Sequence, residues 1–289
     1  MRSKLFVSGA RPDLFAKALA SEADAISIDL EDSVPESGKS DARSAVVAFL
    51  QSSEARDARA ILIVRVNALD TPHFEADLKA LARPGLTLVN LPKPESAEDI
   101  LAAVSQLEFA EAANGIDRPI RLLANIETPT ALRRAAEIAS AHPRVVGLQM
   151  GLGDLFEPLG IDRRDAANVH AALFAVRMAA GEAGVFAVDG AFADVRDTRG
   201  YRIEAEMARR LGYIGKSCIH PSQVALANQV FEASVEEIAV ARRVVESSRD
   251  AAARGHGAFM VDGRMIDPPF LRRAEAIVAA ARLADRDAG

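Results

Sequence analysis

The sequence predicts a (β/α)8 barrel with a C-terminal helical appendage. Three observations carry the prediction. Eight short β-branched runs alternate with longer alanine-rich amphipathic stretches within roughly 230 residues, the span of such a barrel. Charged residues gather where those runs end. No GxGxxG follows the first run and no P-loop occurs, so the alternative, a doubly wound open sheet, lacks its signatures.

The elements follow in order. Lys4–Val7 is the first strand, too short an apolar stretch for a signal peptide, and Pro12–Ala20 is the first helix. Ala25–Leu30, Ala60–Asn67, Leu86–Leu91 and Ile120–Ile126 read as strands two to five because each is a short apolar run rich in β-branched residues or leucine. Asp41–Gln51, Pro72–Ala82, Ala97–Ala113 and Pro129–Ser140 fall after them as helices, several introduced by Ser, Thr, Asp or Pro where helices begin. Val145–Met150, Val185–Val188 and Tyr213–Ile219 complete the strands, and Arg163–Ala180, Thr198–Leu211 and Pro221–Phe231 the helices. Residues 1–232 are therefore assigned to the barrel. Residues 233–289 hold a helix over Val235–Ala253, the link Arg254-Gly255-His256-Gly257, an extended piece at Ala258–Val261 and a last helix over Pro269–Arg286. That is too little chain for much of an independent core, so it reads as an extension that packs on the barrel or reaches a neighbouring subunit.

Composition excludes several function classes. The chain has 289 residues, 49% apolar and 26% charged, which suits a globular fold and not disorder. Lys and Arg number 35 against 41 Asp and Glu, a formal net charge of −6, with the basic residues spread along the chain; no nucleic-acid surface is expected. The apolar stretch Ala171–Val188 is interrupted by Arg177 and Glu182, so no membrane span is expected. The lone Cys218 cannot form an intrachain disulfide and reads as a buried small apolar residue of a cytoplasmic protein.

In a barrel enzyme the chemistry sits where strands give way to βα loops. Those positions here are Asp29-Leu30-Glu31-Asp32, Arg65 with Asn67, Lys93, Glu127, Gly151-Leu152-Gly153-Asp154, Asp189-Gly190 and His220. Charges at the rim of an apolar barrel are costly unless they pair or coordinate, so a shared polar site is expected. Taken singly, Asp154 reads equally as an N-cap and Glu127 as a first-turn carboxylate. Together, two carboxylates at the ends of adjacent strands, with glycines beside one, suit Mg²⁺, which takes one or two protein carboxylates and leaves room for water and substrate oxygens. Arg65 can pair with Asp29 or Glu31, or hold an incoming carboxylate in its planar fork. Lys93, between two prolines, offsets the acidic rim rather than forming a Schiff base, and His220 reads as packed and hydrogen-bonded rather than as a metal ligand. Arg11 at the start of the first helix, with Lys17 beyond it, is either a phosphate contact or a solvated cation.

These residues form a recognisable series. Leu5-Phe6-Val7-Ser8-Gly9-Ala10-Arg11-Pro12, Asp29-Leu30-Glu31-Asp32-Ser33-Val34-Pro35 with Lys39 and Arg43, Val64-Arg65-Val66-Asn67, Leu91-Pro92-Lys93, Ile126-Glu127-Thr128-Pro129, Gly153-Asp154-Leu155, Asp189-Gly190, Gly215-Lys216-Ser217-Cys218-Ile219-His220-Pro221 and Met265-Ile266-Asp267 resemble, in order and over nearly the whole chain, the citrate lyase β-subunit-like branch of the HpcH/HpaI aldolase family. The resemblance implies an Mg²⁺-dependent barrel that cleaves or forms a carbon–carbon bond in a β-hydroxyacyl thioester such as malyl-, citramalyl- or citryl-CoA. It implies Glu127 and Asp154 as metal ligands and Arg65 as the group holding substrate carboxylate and carbonyl. Phe6, Arg11 and Lys17 match CoA contacts, and Asp267 matches an acid that a neighbouring subunit places over the site, which implies a homo-oligomer, a trimer or hexamer in the relatives. Asp29, Glu31, Asp32 and Lys93 fall around the metal and Arg65 as orienting groups. The same ligands serve thioesterases and malate synthase-like members, a class II aldolase on free 2-oxo acids is a further reading, and a CoA-ester-binding subunit of a larger complex is another. Ser8, Pro94 and the loop Gly151-Leu152-Gly153-Asp154-Leu155-Phe156-Glu157 depart from the family pattern around the acyl pocket.

Overall fold

The structure, a computed structural model, describes residues 1–287, with side chains described through Ala281. Eight parallel strands close into a barrel: β1 (Ser3–Ser8), β2 (Ala25–Asp29), β3 (Ile61–Arg65), β4 (Leu88–Leu91), β5 (Arg121–Ile126), β6 (Val145–Met150), β7 (Phe186–Asp189) and β8 (Gly215–Cys218). The ring closes where Ser3, Lys4 and Leu5 pair with Lys216, Ser217 and Cys218. Thirteen α-helices accompany the strands among the described residues: α1 (Phe15–Leu19), α2 (Lys39–Leu50), α3 (Ser53–Arg56), α4 (Phe74–Leu81), α5 (Ala97–Asn114), α6 (Pro129–Arg133), α7 (Ala135–Ser140), α8 (Leu152–Phe156), α9 (Ala166–Glu182), α10 (Thr198–Arg210), α11 (Pro221–Phe231), α12 (Val235–Ala253) and α13 (Pro268–Asp287). None of the described helices is long and apolar enough to cross a membrane.

Strand alternation sorts the side chains. Leu5, Val7, Ile26, Ile28, Leu62, Val64, Val89 and Leu91 join the large core between barrel and helices. Their neighbours along each strand face inward, where Ala25, Ile63 and Leu88 form an apolar plug at the N-terminal end of the barrel. Above the plug the inward positions turn polar, and the last of them, Asp29 and Arg65, reach the rim.

Several predicted boundaries shift for local reasons. The first helix is divided between a 3₁₀ turn at Pro12–Leu14 and the five-residue α1. The helix expected over Pro129–Ser140 breaks at Arg134, which leaves the helical region at φ −104°, ψ 15°. The helix expected from Arg163 starts at Ala166, where Asp165 caps it by accepting from the Ala167 amide. A short helix that the sequence reading did not anticipate, α8, follows β6.

By compactness the chain divides into Met1–Phe231 and Glu232–Gly289. The second unit has its own small core of Ala241, Val244, Val261, Ile266, Ala274 and Val278. Its extended piece is a hairpin of β9 (Phe259–Val261) and β10 (Arg264–Ile266), where one strand was expected. Asp262 and Gly263 turn it, both at positive φ (48° and 77°), the type I′ pattern that Asp-Gly favours.

Cys218 on β8 is wholly buried, its Sγ 3.2 Å from the Tyr201 hydroxyl, and burial pushes the thiol up to about 11. At about pH 8, labelling in the native state is expected to be at least ~10²-fold slower than in urea-unfolded chain, because little thiolate forms and no path reaches it. Comparable rates in a timed iodoacetamide experiment would refute that placement.

Candidate active site

The polar site is built from the ends of β2 to β6. Asp29, the last residue of β2, is buried and uses both oxygens on Arg65 from β3: Nε donates to Oδ1 at 2.7 Å and Nη2 to Oδ2 at 2.9 Å. The Glu31 and Ser33 amides donate to the same carboxylate. The Arg65 guanidinium beside it holds the Asp29 carboxyl below the usual carboxylate range against the opposing effect of burial. The other edge of Arg65 faces the loop after β2, with Nη1 2.8 Å from Glu31 and 3.3 Å from Asp32. Arg65 is thus ion-paired as one of its two sequence readings had it, and held in a fixed orientation.

Lys39 ties that loop to the helix that follows it. Its buried ammonium donates to the carbonyls of Leu30 and Glu31, both at 2.7 Å, so the first turn of α2 pins the acidic segment from below.

Lys93 follows β4 at φ 50°, a left-handed conformation that is uncommon for lysine and further disfavoured before Pro94. The strain has a visible return: the Lys93 amide donates to Glu127 Oε1 at 3.0 Å while its ammonium reaches Glu31 at 2.8 Å, Asp154 at 3.6 Å and Asp32 at 3.9 Å. These acidic partners keep the ammonium protonated. Lys93 is therefore a hub of the acidic rim, and the Schiff-base role has no support in this geometry.

Glu127 stands one residue past β5, 2% exposed. It does not serve the following helix, whose N-cap is Thr128, accepting from the Ala131 amide. Instead it turns into the barrel mouth, with Asn125 Nδ2 3.4 and 3.5 Å from its two oxygens. A Cβ on Gly151 would collide with Glu127 Cβ and Oε2, so glycine at that position makes room for the carboxylate. Burial, and then the Glu31 and Asp154 charges, push Glu127 up to about 7. Asp154 lies in the first turn of α8; the residue at the N-cap is Gly151, so the capping alternative for Asp154 falls. Its side chain is 43% exposed, open to a ligand.

Does this set fit Mg²⁺? Five carboxylates, Asp29, Glu31, Asp32, Glu127 and Asp154, meet two cations, Arg65 and Lys93, leaving a local excess of negative charge around a buried acid. No group of three or more His, Cys, Asp or Glu residues able to hold a metal occurs among the described residues. The described residues thus offer no fully protein-built cage, whereas a hard cation resting on Glu127 and Asp154 and completed by water and substrate oxygens suits the donor set.

The remaining expected residues divide. Phe6 joins the site, its ring centroid 5.3 Å from the Arg65 guanidinium and 3.9 Å from Lys4 Nζ. Arg11 is exposed and paired with Asp13 at 2.8 Å, and only the three-residue 3₁₀ turn follows it; Lys17 is exposed on α1. These two are not brought to the carboxylates by any contact. Ser8 ties the loops after β1 and β2 by donating to the Ser33 carbonyl at 3.0 Å. His220 bonds Ser222 through Nδ1 at 2.8 Å but is exposed, not packed as expected. Asp267 belongs to the second unit, at the step into α13, half-buried, its Oδ1 without a hydrogen-bond partner among the described residues.

Residues 2–221 match the sequence model of the family described as HpcH/HpaI aldolase/citrate lyase. The citrate lyase subunit beta of Escherichia coli K12 is 37% identical over 284 residues, 98% of this chain and 93% of that protein. An L-malyl-CoA/beta-methylmalyl-CoA lyase of Cereibacter sphaeroides is 33% identical over 303 residues, covering 98% and 95%. The crystal structure of CitE from Mycobacterium tuberculosis in complex with magnesium, acetoacetate and coenzyme A superposes with a TM-score of 0.75 at 33% identity, covering 96% of this chain and 98% of that one.

Proposed function

The chain belongs to the HpcH/HpaI aldolase/citrate lyase family and is a carbon–carbon lyase, and from that premise we propose that it uses Mg²⁺ to cleave, or in reverse to form, a short β-hydroxyacyl-CoA such as (S)-malyl-, citramalyl- or citryl-CoA, with acetyl-CoA and an oxo acid as the other side of the reaction. The observation that carries this reading is the buried Glu127, aimed at the barrel mouth by a strained Lys93 amide, with Asp154 in the first turn of α8 and the Arg65 charge acting on it. The magnesium, acetoacetate and coenzyme A held by the M. tuberculosis relative support it.

In the cleavage direction the substrate hydroxyl loses a proton, the carbon–carbon bond breaks, and the acetyl thioester leaves with enolate charge that must then be protonated. Glu127 and Asp154 would hold the metal, whose bound form supplies Lewis-acid polarisation of a substrate oxygen. Arg65 orients the acid end of the substrate. Asp29 occupies its Nε and Nη2, so a substrate carboxylate competes with Glu31 and Asp32 for the Nη1 edge. Lys93 supplies a second fixed cation near the developing charge, which costs no reorganisation during the reaction. Phe6, with Arg11 and Lys17, is assigned to CoA; Arg11 would exchange its exposed pair with Asp13 for a phosphate. Asp267 is assigned as the acid that protonates the acetyl carbon, or as the base in synthesis, and it would act from a neighbouring copy in a homo-oligomer, a trimer or hexamer. The cytoplasm is the compartment this chemistry and a lone unpaired cysteine fit.

A mass-spectrometric assay of the purified protein with Mg²⁺ tests the reading. The substrates are malyl-, citramalyl-, citryl- and hydroxymethylglutaryl-CoA, with free 4-hydroxy-2-oxo acids alongside. The expected result is acetyl-CoA from one thioester, lost with EDTA. Free CoA without carbon–carbon cleavage indicates a thioesterase, cleavage of the free acids alone an aldolase, and silence throughout a CoA-ester-binding subunit.

A further inference from the structure

Below the carboxylate cluster the barrel interior is polar, where aliphatic layers are the rule. Lys4 on β1, Ser27 on β2, Asn90 on β4, Asn125 on β5, Gln149 on β6 and Ser217 on β8 occupy the inward alternation and are all buried; Lys4, Ser27, Asn90 and Ser217 are 0% exposed. Bonds among them are few. Asn90 Nδ2 lies 3.5 Å from Gln149 Oε1, and Asn125 directs its Nδ2 at Glu127. Among the described residues, five buried atoms of this interior have no hydrogen-bond partner: Lys4 Nζ, Ser27 Oγ, Ser217 Oγ, Asn90 Oδ1 and Asn125 Oδ1. Register puts the first three together. Lys4 is the Cα partner of Ser217, Phe6 is the partner of Ser27, and Lys4 Nζ leans toward the Phe6 ring.

A buried polar atom left unsatisfied is destabilising, and several of them in one barrel interior call for a partner. Two ligands offer themselves, a small anion and water. An anion suits the lysine and serines but not the two amide oxygens, which only accept, nor the neighbouring Asp29 and Glu127 carboxylates. Water donates to the amide oxygens and accepts from Lys4 Nζ–H, which donates in either protonation state, and it meets the usual requirement of two to four polar partners. We propose that the barrel interior beneath the carboxylate cluster binds a small cluster of water molecules organised by Lys4, Ser27 and Ser217, and that this cluster makes Lys4 a positioning residue for Asn125. With its Oδ1 satisfied from below, Asn125 turns its N–H toward Glu127; without that donor the amide gains by reversing, which sets oxygen against carboxylate. This second part rests on the reading of Glu127 as a magnesium ligand.

The test is a high-resolution crystal structure of the protein and of Lys4→Met, both grown with sodium bromide, together with Mg²⁺ titration calorimetry. Expected in the parent is solvent density about 2.7–3.2 Å from Lys4 Nζ that also bridges a serine or asparagine oxygen, with no anomalous bromide signal, and loss of that bridge in Lys4→Met. A dry interior with Lys4 bonded directly to a protein acceptor, or bromide at Nζ, overturns the proposal. At equal folded fraction by circular dichroism, Lys4→Met is expected to bind Mg²⁺ about threefold to tenfold more weakly, less than the 10–100-fold cost of losing a direct ligand support; undiminished affinity overturns the positioning role. If Lys4→Met does not fold, Ser217→Ala carries the same two readouts. Neither requires turnover, so a failure of the lyase reading is separable from a failure of this one.

Discussion

Glu127→Gln and Asp154→Asn are each expected to abolish Mg²⁺ binding and to lower turnover by at least ~10³-fold, since Lewis-acid stabilisation is worth several kcal/mol and each 1.36 kcal/mol is tenfold. The fold should survive both. Glu127 is buried beside Glu31 and Asp154, whose charges oppose its own, so the neutral amide removes a repulsion and the thermal midpoint of Glu127→Gln should equal or exceed the parent's. Asp154 is partly exposed and caps nothing, so its change to asparagine should be nearly neutral for stability. Calorimetric titration with Mg²⁺, scanning calorimetry and the acetyl-CoA assay read the three quantities separately. Retention of metal affinity in either variant would sink the ligand assignment, and a large fall in midpoint would make these residues structural.

Lys216→Met is expected to destabilise the protein by about 3–5 kcal/mol, the cost of breaking a buried ion pair from one side. Lys216 is fully buried between barrel and helices, 2.6 Å from Asp189 and 2.5 Å from Glu204, and Arg163 also bonds Glu204. Two carboxylates thus meet two cations in a closed network. Methionine leaves Glu204 with Arg163 but Asp189 with only the Gly190 amide. Burial has already pushed Asp189 up to about 6, above its unfolded value, so its ionisation works against the fold as pH rises through that range. Loss of the lysine pushes it further up. The stability deficit of Lys216→Met should therefore narrow as pH falls from about 8 to about 5.5, and the double variant Lys216→Met/Asp189→Leu should recover part of it. Urea unfolding across that pH range decides it; a deficit under about 1 kcal/mol, or one that widens on acidification, contradicts the account.

Much of the fold was legible because the barrel repeats one local pattern. β6, α11 and α12 lie where the spacing of Val145–Met150, Pro221–Phe231 and Val235–Ala253 puts them. Asp29, Arg65, Glu127 and Asp154 stand out for a related reason: a charge ending an aliphatic run is conspicuous in one dimension. The hairpin of the second unit was not read from the sequence, which gave one extended piece: Asp262-Gly263 is a turn signal, but the pieces it joins are only three residues each and show too little alternation to stand out as paired strands.

What the sequence determined by itself is the order of strands and helices and the identity of the acids and cations at the strand ends, because strand and helix periods and the cost of unpaired charge act over neighbouring residues. Only the closed barrel decided which of those groups meet. Lys4 and Lys216 each sit on a strand among apolar or small neighbours, yet the barrel wall turns the first inward with no hydrogen-bond partner among the described residues and the second outward into a saturated network. Lys93 takes positive φ where Glu127, 34 residues away, accepts its amide; Arg11, by contrast, pairs locally with Asp13 in the 3₁₀ turn that stands in place of a helix N-terminus. For Lys216 and Lys93 the physical reason is the same: a charged residue takes its partner from the elements brought beside it by closure, and that proximity is a property of the packed chain rather than of any stretch within it.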